Sequence, residues 1–198
     1  YSSSPWSFQG PNPTPTSLQD IGIVISLAVN PTNQNIIYAG SNTSGIWKTT
    51  NGGDSWVNIT DDLGIAGLGI NSIAIDPNNS NNILAGTGTR SYGWSWINPA
   101  GVGILKSIDG GNSWTIATMP GGTTMPSDFF NIEVIKYGPS NSNIVYAAAN
   151  KKIFKSNDGG NSWALSFTNP TSVNVSFIDL EIDILNNNII YASKIGRA

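Results

Sequence analysis

One nine-residue phrase is written three times in 198 residues: KTTNGGDSW at 48–56, KSIDGGNSW at 106–114 and KSNDGGNSW at 155–163. Its closing residues Trp56, Trp114 and Trp163 lie 58 and 49 residues apart. A period near 40–50 residues restricts the fold to a repeat array, because a unit that small cannot bury its apolar face alone. The text before each phrase repeats as well. It reads ISLAVNPTNQNIIYAG, NSIAIDPNNSNNILAG and IEVIKYGPSNSNIVYAA, and a fourth copy, FIDLEIDILNNNIIYAS, starts at Phe177.

Each unit reads as four short strands. In the second, residues 72–75 alternate and stop at Asp76-Pro77 and an Asn-rich turn. Residues 83–86, 103–106 and 114–117 follow as the next three strands. Runs rich in Ile, Val, Tyr and Trp, punctuated by Gly, Pro and Asn, are meander signals. Four strands per unit at a recurring period predict an all-β fold, a β-propeller of four-stranded antiparallel blades. The expected blades are 22–60, 70–118 and 130–167, with a partial one at 177–198, about three and a half in all. SPWSFQG at 4–10 resembles the fourth-strand text, so residues 6–9 are expected to close the last blade. The Pro-rich stretch up to residue 21 then serves as linker. Since a partial ring leaves an open edge, the chain is expected to be the N-terminal part of a longer protein.

Composition removes several function classes. The nine basic residues are scattered and the net charge is −3, which leaves little footprint for nucleic acid. No apolar run approaches the ~18 residues of a membrane span. With neither Cys nor His, thiolate or imidazole metal sites and His-based triads are absent from this sequence. No metal and no cofactor is therefore expected. Only 11% of residues are charged, and the chain opens on Tyr1 rather than Met. Both fit an exported protein whose signal peptide has been removed.

The phrase has a local physical explanation. Ser or Thr, and Asp or Asn two residues on, accept hydrogen bonds from the turn's own amides. The Gly pair permits positive φ, and the Trp ring is expected to be buried between neighbouring sheets. The corner residues are Thr49, Asn51, Gly53 and Trp56, then Ser107, Asp109, Gly111 and Trp114, then Ser156, Asp158, Gly160 and Trp163. This pattern resembles the Asp-box, or BNR repeat, of sialidases, sortilin-type receptors and xyloglucanase-type glycoside hydrolases, over roughly residues 22–198. The text is also similar to secreted propellers of Bacteroidota-type bacteria, which implies a secreted or cell-surface location and an implied link to type IX secretion. Turn chemistry accounts for every corner residue, so the phrase reads as structural.

In an up-and-down meander, the Asn-rich and Gly-Gly turns share one end of the disc. The resemblance places ligands at the other end, where residues 40–45, 87–103 and 149–152 and the inter-blade stretches lie. The insertion at 87–103 carries Tyr92, Trp94 and Trp96 with Arg90 nearby, and such rings stack on sugars or anchor proteins. The alternative is that they cover the propeller's own end. Glycoside hydrolysis needs two carboxylates about 5–10 Å apart. The candidates at this end are Asp61, Asp62 and Asp128, and of these Asp62 and Asp128 are carried as weak catalytic candidates. The xyloglucanase-type pattern implies an Asp just after the YA strand, where this chain has Asn42. The sialidase pattern implies an arginine triad, whereas only Arg90 and Arg197 are present. The sequons at Asn42, Asn58 and Asn174 bear only on a eukaryotic source. The reading is a non-catalytic binding module for glycan or protein, joined to the remaining blades of a longer chain. A xyloglucanase-like hydrolase and a structural or secretion-cargo protein are the alternatives.

Overall fold

The computed structural model describes residues 23–65, 68–88, 101–117, 131–170 and 175–196. Fourteen strands in these residues form four antiparallel sheets. The first sheet holds β1 (Val24–Val29), β2 (Ile37–Ser41), β3 (Ile46–Thr49) and β4 (Val57–Asn58) in chain order. The second holds β5 (Ile70–Ile75), β6 (Ile83–Thr87), β7 (Ile104–Ser107) and β8 (Thr115–Ile116). The third holds β9 (Ile132–Tyr137), β10 (Val145–Ala149), β11 (Lys152–Ser156) and β12 (Ala164–Thr168), and the fourth only β13 (Val175–Ile182) and β14 (Ile190–Gly196). The single helical turn described is a 3₁₀ helix, Asp61–Leu63. This is the expected partial propeller, three blades and half of another. Strand limits shift slightly: β5 starts at Ile70, and each phrase's Trp stands just before its fourth strand.

The first strands β1, β5, β9 and β13 lie side by side round the axis. Alternation along each strand sends side chains to opposite faces, and in the second and third sheets both faces are covered by neighbouring blades. On β10, Val145, Ala147 and Ala149 join the core with Leu84, Ile104 and Trp163 of blades two and three. Tyr146 and Ala148 of the same strand face Phe177 and Leu180 of the fourth sheet. Between blades one and two, Tyr38 and Ile46 meet Ile70, Ile83 and Leu105. The core is therefore a series of layers between blades. That explains why the middle strands read as continuous apolar runs.

Every sheet carries a register shift at the same place. It falls between Val24 and Ser26 in β1, Ile70 and Ser72 in β5, at Ile132 opposite Ala149 in β9, and between Phe177 and Asp179 in β13. Such bulges re-aim side chains. Beyond two of them, Ser26 Oγ donates to the Ile70 carbonyl at 3.1 Å, and Ser72 Oγ accepts from the Ile135 amide at 3.0 Å. Both bonds join neighbouring blades.

Candidate functional site

At one end of the disc the Gly-Gly turns are seated on the Asn-rich turns. The Gly52, Gly110 and Gly159 amides donate to the Asn35, Asn81 and Asn143 carbonyls at 2.9–3.0 Å. Inside the second phrase, Ser107 Oγ donates to Asp109 at 2.8 Å and accepts from the Gly111 amide at 2.8 Å. The Ser113 amide and hydroxyl donate to Asp109 at 2.9 and 2.6 Å. Ser156, Asp158, Gly160 and Ser162 repeat these bonds. Thr49, Asn51, Gly53 and Ser55 keep three of these bonds, and in the fourth the Asn51 amide nitrogen donates to the Ser55 hydroxyl, reversing the direction. The Ser113 hydroxyl and amide hold the Asp109 carboxyl well down, at about 2. Burial alone would raise Asp158, but its bonds from Ser162 and Ser156 outweigh that and lower it.

The three tryptophans differ. Trp163 is fully buried in the layer between blades two and three, whereas Trp56 and Trp114 are half-buried. Trp114 and Trp163 lean on the preceding blade, whereas Trp56 has no preceding sheet among the described residues.

Two lysines of the phrase cross between blades, a role that turn chemistry does not disclose. Lys48 Nζ donates to the Gly110 carbonyl at 2.7 Å, and Tyr38 Oη donates to the same oxygen at 2.9 Å. Lys106 Nζ donates to the Gly159 carbonyl at 2.9 Å and to Asn161 Oδ1 at 2.8 Å. Burial lowers the Lys106 ammonium from its usual range, against the pull of Asp158 and Asp76. The signal available in the sequence was that Lys opens the phrase all three times.

The opposite end carries a cleft of about 390 Å³ lined by Thr43, Ser44, Gly45, Thr60, Asp61 and Ile65 among others. Its walls are fixed by hydrogen bonds. The Gly45 amide donates to the Leu68 carbonyl at 2.8 Å, Asn58 Nδ2 to the Ser44 carbonyl at 2.7 Å, and the Ile46 amide to Thr60 Oγ1 at 3.0 Å. Ser41 Oγ receives the Ser44 amide and hydroxyl at 3.1 and 2.7 Å, which curls the loop. The Asn42 amide donates to the Ile23 carbonyl at 2.9 Å, while its side-chain oxygen is buried without a hydrogen-bond partner among the described residues. Asp61 lines this cleft. Asp62, exposed in the 3₁₀ turn, does not. The insertion leaves and rejoins the sheet where the Thr87 amide and hydroxyl both donate to the Gly103 carbonyl, at 2.9 and 2.7 Å. Arg90, Tyr92, Trp94 and Trp96 within it, and Asp128, lie outside the described residues.

Along the axis, a groove of about 540 Å³ runs past Ser26, Asn71, Ser72, Glu133 and Asp179. Glu133 is buried and accepts from Asn131 Nδ2 at 2.7 Å, and Asn131 Oδ1 in turn receives Asn71 Nδ2 at 3.1 Å. Neither Glu133 nor Asp179 stands out in the sequence. Each sits inside a strand text whose periodicity reads as core.

No protein-family model matches the chain. It is 30% identical over 134 residues to a xyloglucanase of Hypocrea jecorina, covering 65% of this chain and 15% of that protein. A Paenibacillus xyloglucanase is 28% identical over 133 residues, 65% of this chain and 13% of its own length. The chain thus matches only a small part of these relatives. Among solved structures, an ancestral GH74 enzyme superposes with a TM-score of 0.70 at 29% identity, over 86% of this chain and 22% of that one. The GH74 enzyme of Niastella koreensis gives 0.59 at 23% identity over 86% and 26%. YCF48 from Cyanidioschyzon merolae gives 0.56 at 14% identity over 85% and 49%, a likeness of fold alone. The chain is homologous to a propeller segment of xyloglucanases.

Proposed function

We propose that this chain is part of a secreted or cell-surface propeller that binds a glycan, or a protein bearing one, without cleaving it in this segment. The observation that carries the reading is Asn42. It occupies the loop position where the xyloglucanase-type pattern implies an acid, and an amide supplies neither general acid nor general base. The neighbouring cleft keeps polar walls of Thr43, Ser44, Thr60 and Asp61, groups suited to sugar hydroxyls. Read from sequence alone, the insertion at 87–103 contributes Tyr92, Trp94, Trp96 and Arg90, residue types that stack on sugars or anchor a partner. The phrase, read as an Asp-box, is a structural corner, since its acceptors are spent inside its own turn. Domain limits at residues 60, 118 and 167 follow from the same unit.

The test is affinity electrophoresis in xyloglucan, paired with a reducing-end assay. Retarded migration that Trp94→Ala and Trp96→Ala relieve, with no release of reducing ends, is the expected result. Cleavage that disappears in the Asp62→Asn, Asp128→Asn double variant would overturn it.

The second reading, a glycoside hydrolase, is favoured by the identity to xyloglucanases and by the two carboxylates in the axial groove. Cleavage lost on Glu133→Gln or Asp179→Asn would establish it.

A further inference from the structure

We propose that Asn51 is a covalent modification site, at which the chain deamidates itself through the Gly52 nitrogen, and that the seating of the first Gly-Gly turn on Asn35 gates the reaction. Asn51-Gly52 is the one Asn-Gly pair in the sequence. Asn51 is exposed, and Gly52 carries no Cβ to hinder the approach of its nitrogen to the neighbouring side chain.

The step needs no co-reactant but water. The Gly52 nitrogen gives up its proton and bonds to Asn51 Cγ. The bond from Cγ to Nδ2 breaks, and Nδ2 leaves as ammonia, carrying that proton. Water then opens the five-membered imide to aspartate or, at the main-chain carbonyl, to isoaspartate. In the seated turn the reacting groups are held apart. Asn51 Oδ1 accepts from Thr49 Oγ1 at 2.8 Å and from the Ser55 amide at 3.0 Å, and Nδ2 donates to Ser55 Oγ at 2.9 Å. The attacking nitrogen is itself engaged, since the Gly52 amide donates to the Asn35 carbonyl at 3.0 Å. The turn must lift off Asn35 before the bond can form.

The three turns are not held alike. In the second, Asn112 Nδ2 donates to the Asp109 carbonyl at 2.7 Å, and in the third Asn161 Nδ2 donates to the Asp158 carbonyl at 2.6 Å. Each bond pins the peptide group whose amide is seated on the Asn-rich turn. In the first turn Asp54 stands in that place, and its carboxylate has no hydrogen to give. The Asn51-Gly52 peptide lacks this side-chain anchor, so the first turn opens more readily than the other two. Asp109 and Asp158 also precede Gly, but they react only as protonated acids, a form that the bonds from Ser113 and Ser162 disfavour. Conversion is irreversible and adds a carboxylate to the turn, so it marks chains whose first turn has opened. The site is independent of what the opposite end of the disc binds.

The experiment incubates the 198-residue protein and a synthetic peptide of residues 44–60 in mildly alkaline buffer. Conversion at position 51 is followed by mass spectrometry of digests, with fragment spectra locating the exchange of NH2 for OH. The folded protein is expected to convert at least tenfold more slowly than the peptide, yet measurably. Asp54→Asn, which restores the anchor found in the other turns, should slow the protein at least threefold further. Thr49→Ala should speed it at least threefold, while Ser107→Ala, the matching change in the second turn, should leave it within about twofold. Conversion of the folded protein at the rate of the peptide, or none while the peptide converts, would overturn the proposal. So would a rate indifferent to Asp54→Asn, or equal acceleration by Thr49→Ala and Ser107→Ala, which would assign the reaction to global unfolding. The comparison of protein with peptide uses the unaltered chain, so it stands whatever a substitution does to folding.

Discussion

At the scale of the residue, the repeated phrase is a closed hydrogen-bond circuit. Ser107 Oγ both donates and accepts within it, and Gly111 supplies a φ of +88°. A Cβ built on Gly111 would stand 2.7 Å from Ile59 Cδ1 of the preceding blade. Gly111→Ala therefore combines a strained backbone with a steric conflict. It should lower stability by more than about 1 kcal/mol, read as a lower urea midpoint. Ser107→Ala strips a partner from a buried amide and should cost about 1–2 kcal/mol in the same measurement. Asp109 makes the pH prediction. Its folded pKa of about 2 lies below the ordinary 3.8, so the unfolded chain takes up the proton first. Its contribution is present above pH ~4 and is lost as pH falls towards 2. Asp109→Asn should flatten the decline in stability across that window, measured by urea unfolding at stepped pH.

At the scale of the element, neighbouring blades are fastened at both ends as well as through their apolar faces. Ser26 and Ser72, beyond equivalent bulges, bond across at the axis. In the third blade Val134 takes that position and joins the apolar layer, while Lys136 pairs with Glu181 of the fourth sheet at 2.6 Å. Farther out, Lys48 and Tyr38 converge on one carbonyl. Lys48→Met should cost about 1 kcal/mol, since the bond is charge-assisted but only partly shielded from water. Because Tyr38 shares the acceptor, Lys48→Met and Tyr38→Phe should be non-additive in a double-mutant cycle, with a coupling of at least ~0.5 kcal/mol. Additive losses would show that the two side chains act separately.

At the scale of the whole molecule, stability is shared out in layers between blades, each depending on its neighbour. Phe154 is fully buried in the layer between blades two and three. Phe154→Ala should cost about 3–5 kcal/mol, in contrast to substitutions on the outward face of β1. There Leu27 and Val29 are 66% and 53% exposed, with no sheet against them among the described residues. Leu27→Lys with Val29→Thr should leave the urea midpoint within about 0.5 kcal/mol and reduce light scattering at high concentration. A large drop in stability would mean that this face is already covered within the chain.

The repeat and its punctuation determined a great deal without coordinates. Period, strand count and the Asn-rich and Gly-Gly turns dictated four-stranded antiparallel blades, because these signals act within a few residues of one another. The incomplete fourth copy likewise foretold a two-stranded sheet. Other features arose only once blades were set side by side. The Lys48 and Lys106 crossings, the unequal burial of Trp56 and Trp163, and the placing of Glu133 in the axial groove all depend on a neighbour distant in sequence. Asp61 and Asp62 show the same divide at the cleft: adjacent in sequence and alike in chemistry, they are separated by one 3₁₀ turn that brings only the first to the wall. Local patterning carries each strand's two faces and its turns, whereas which atoms meet across a blade boundary is settled by packing.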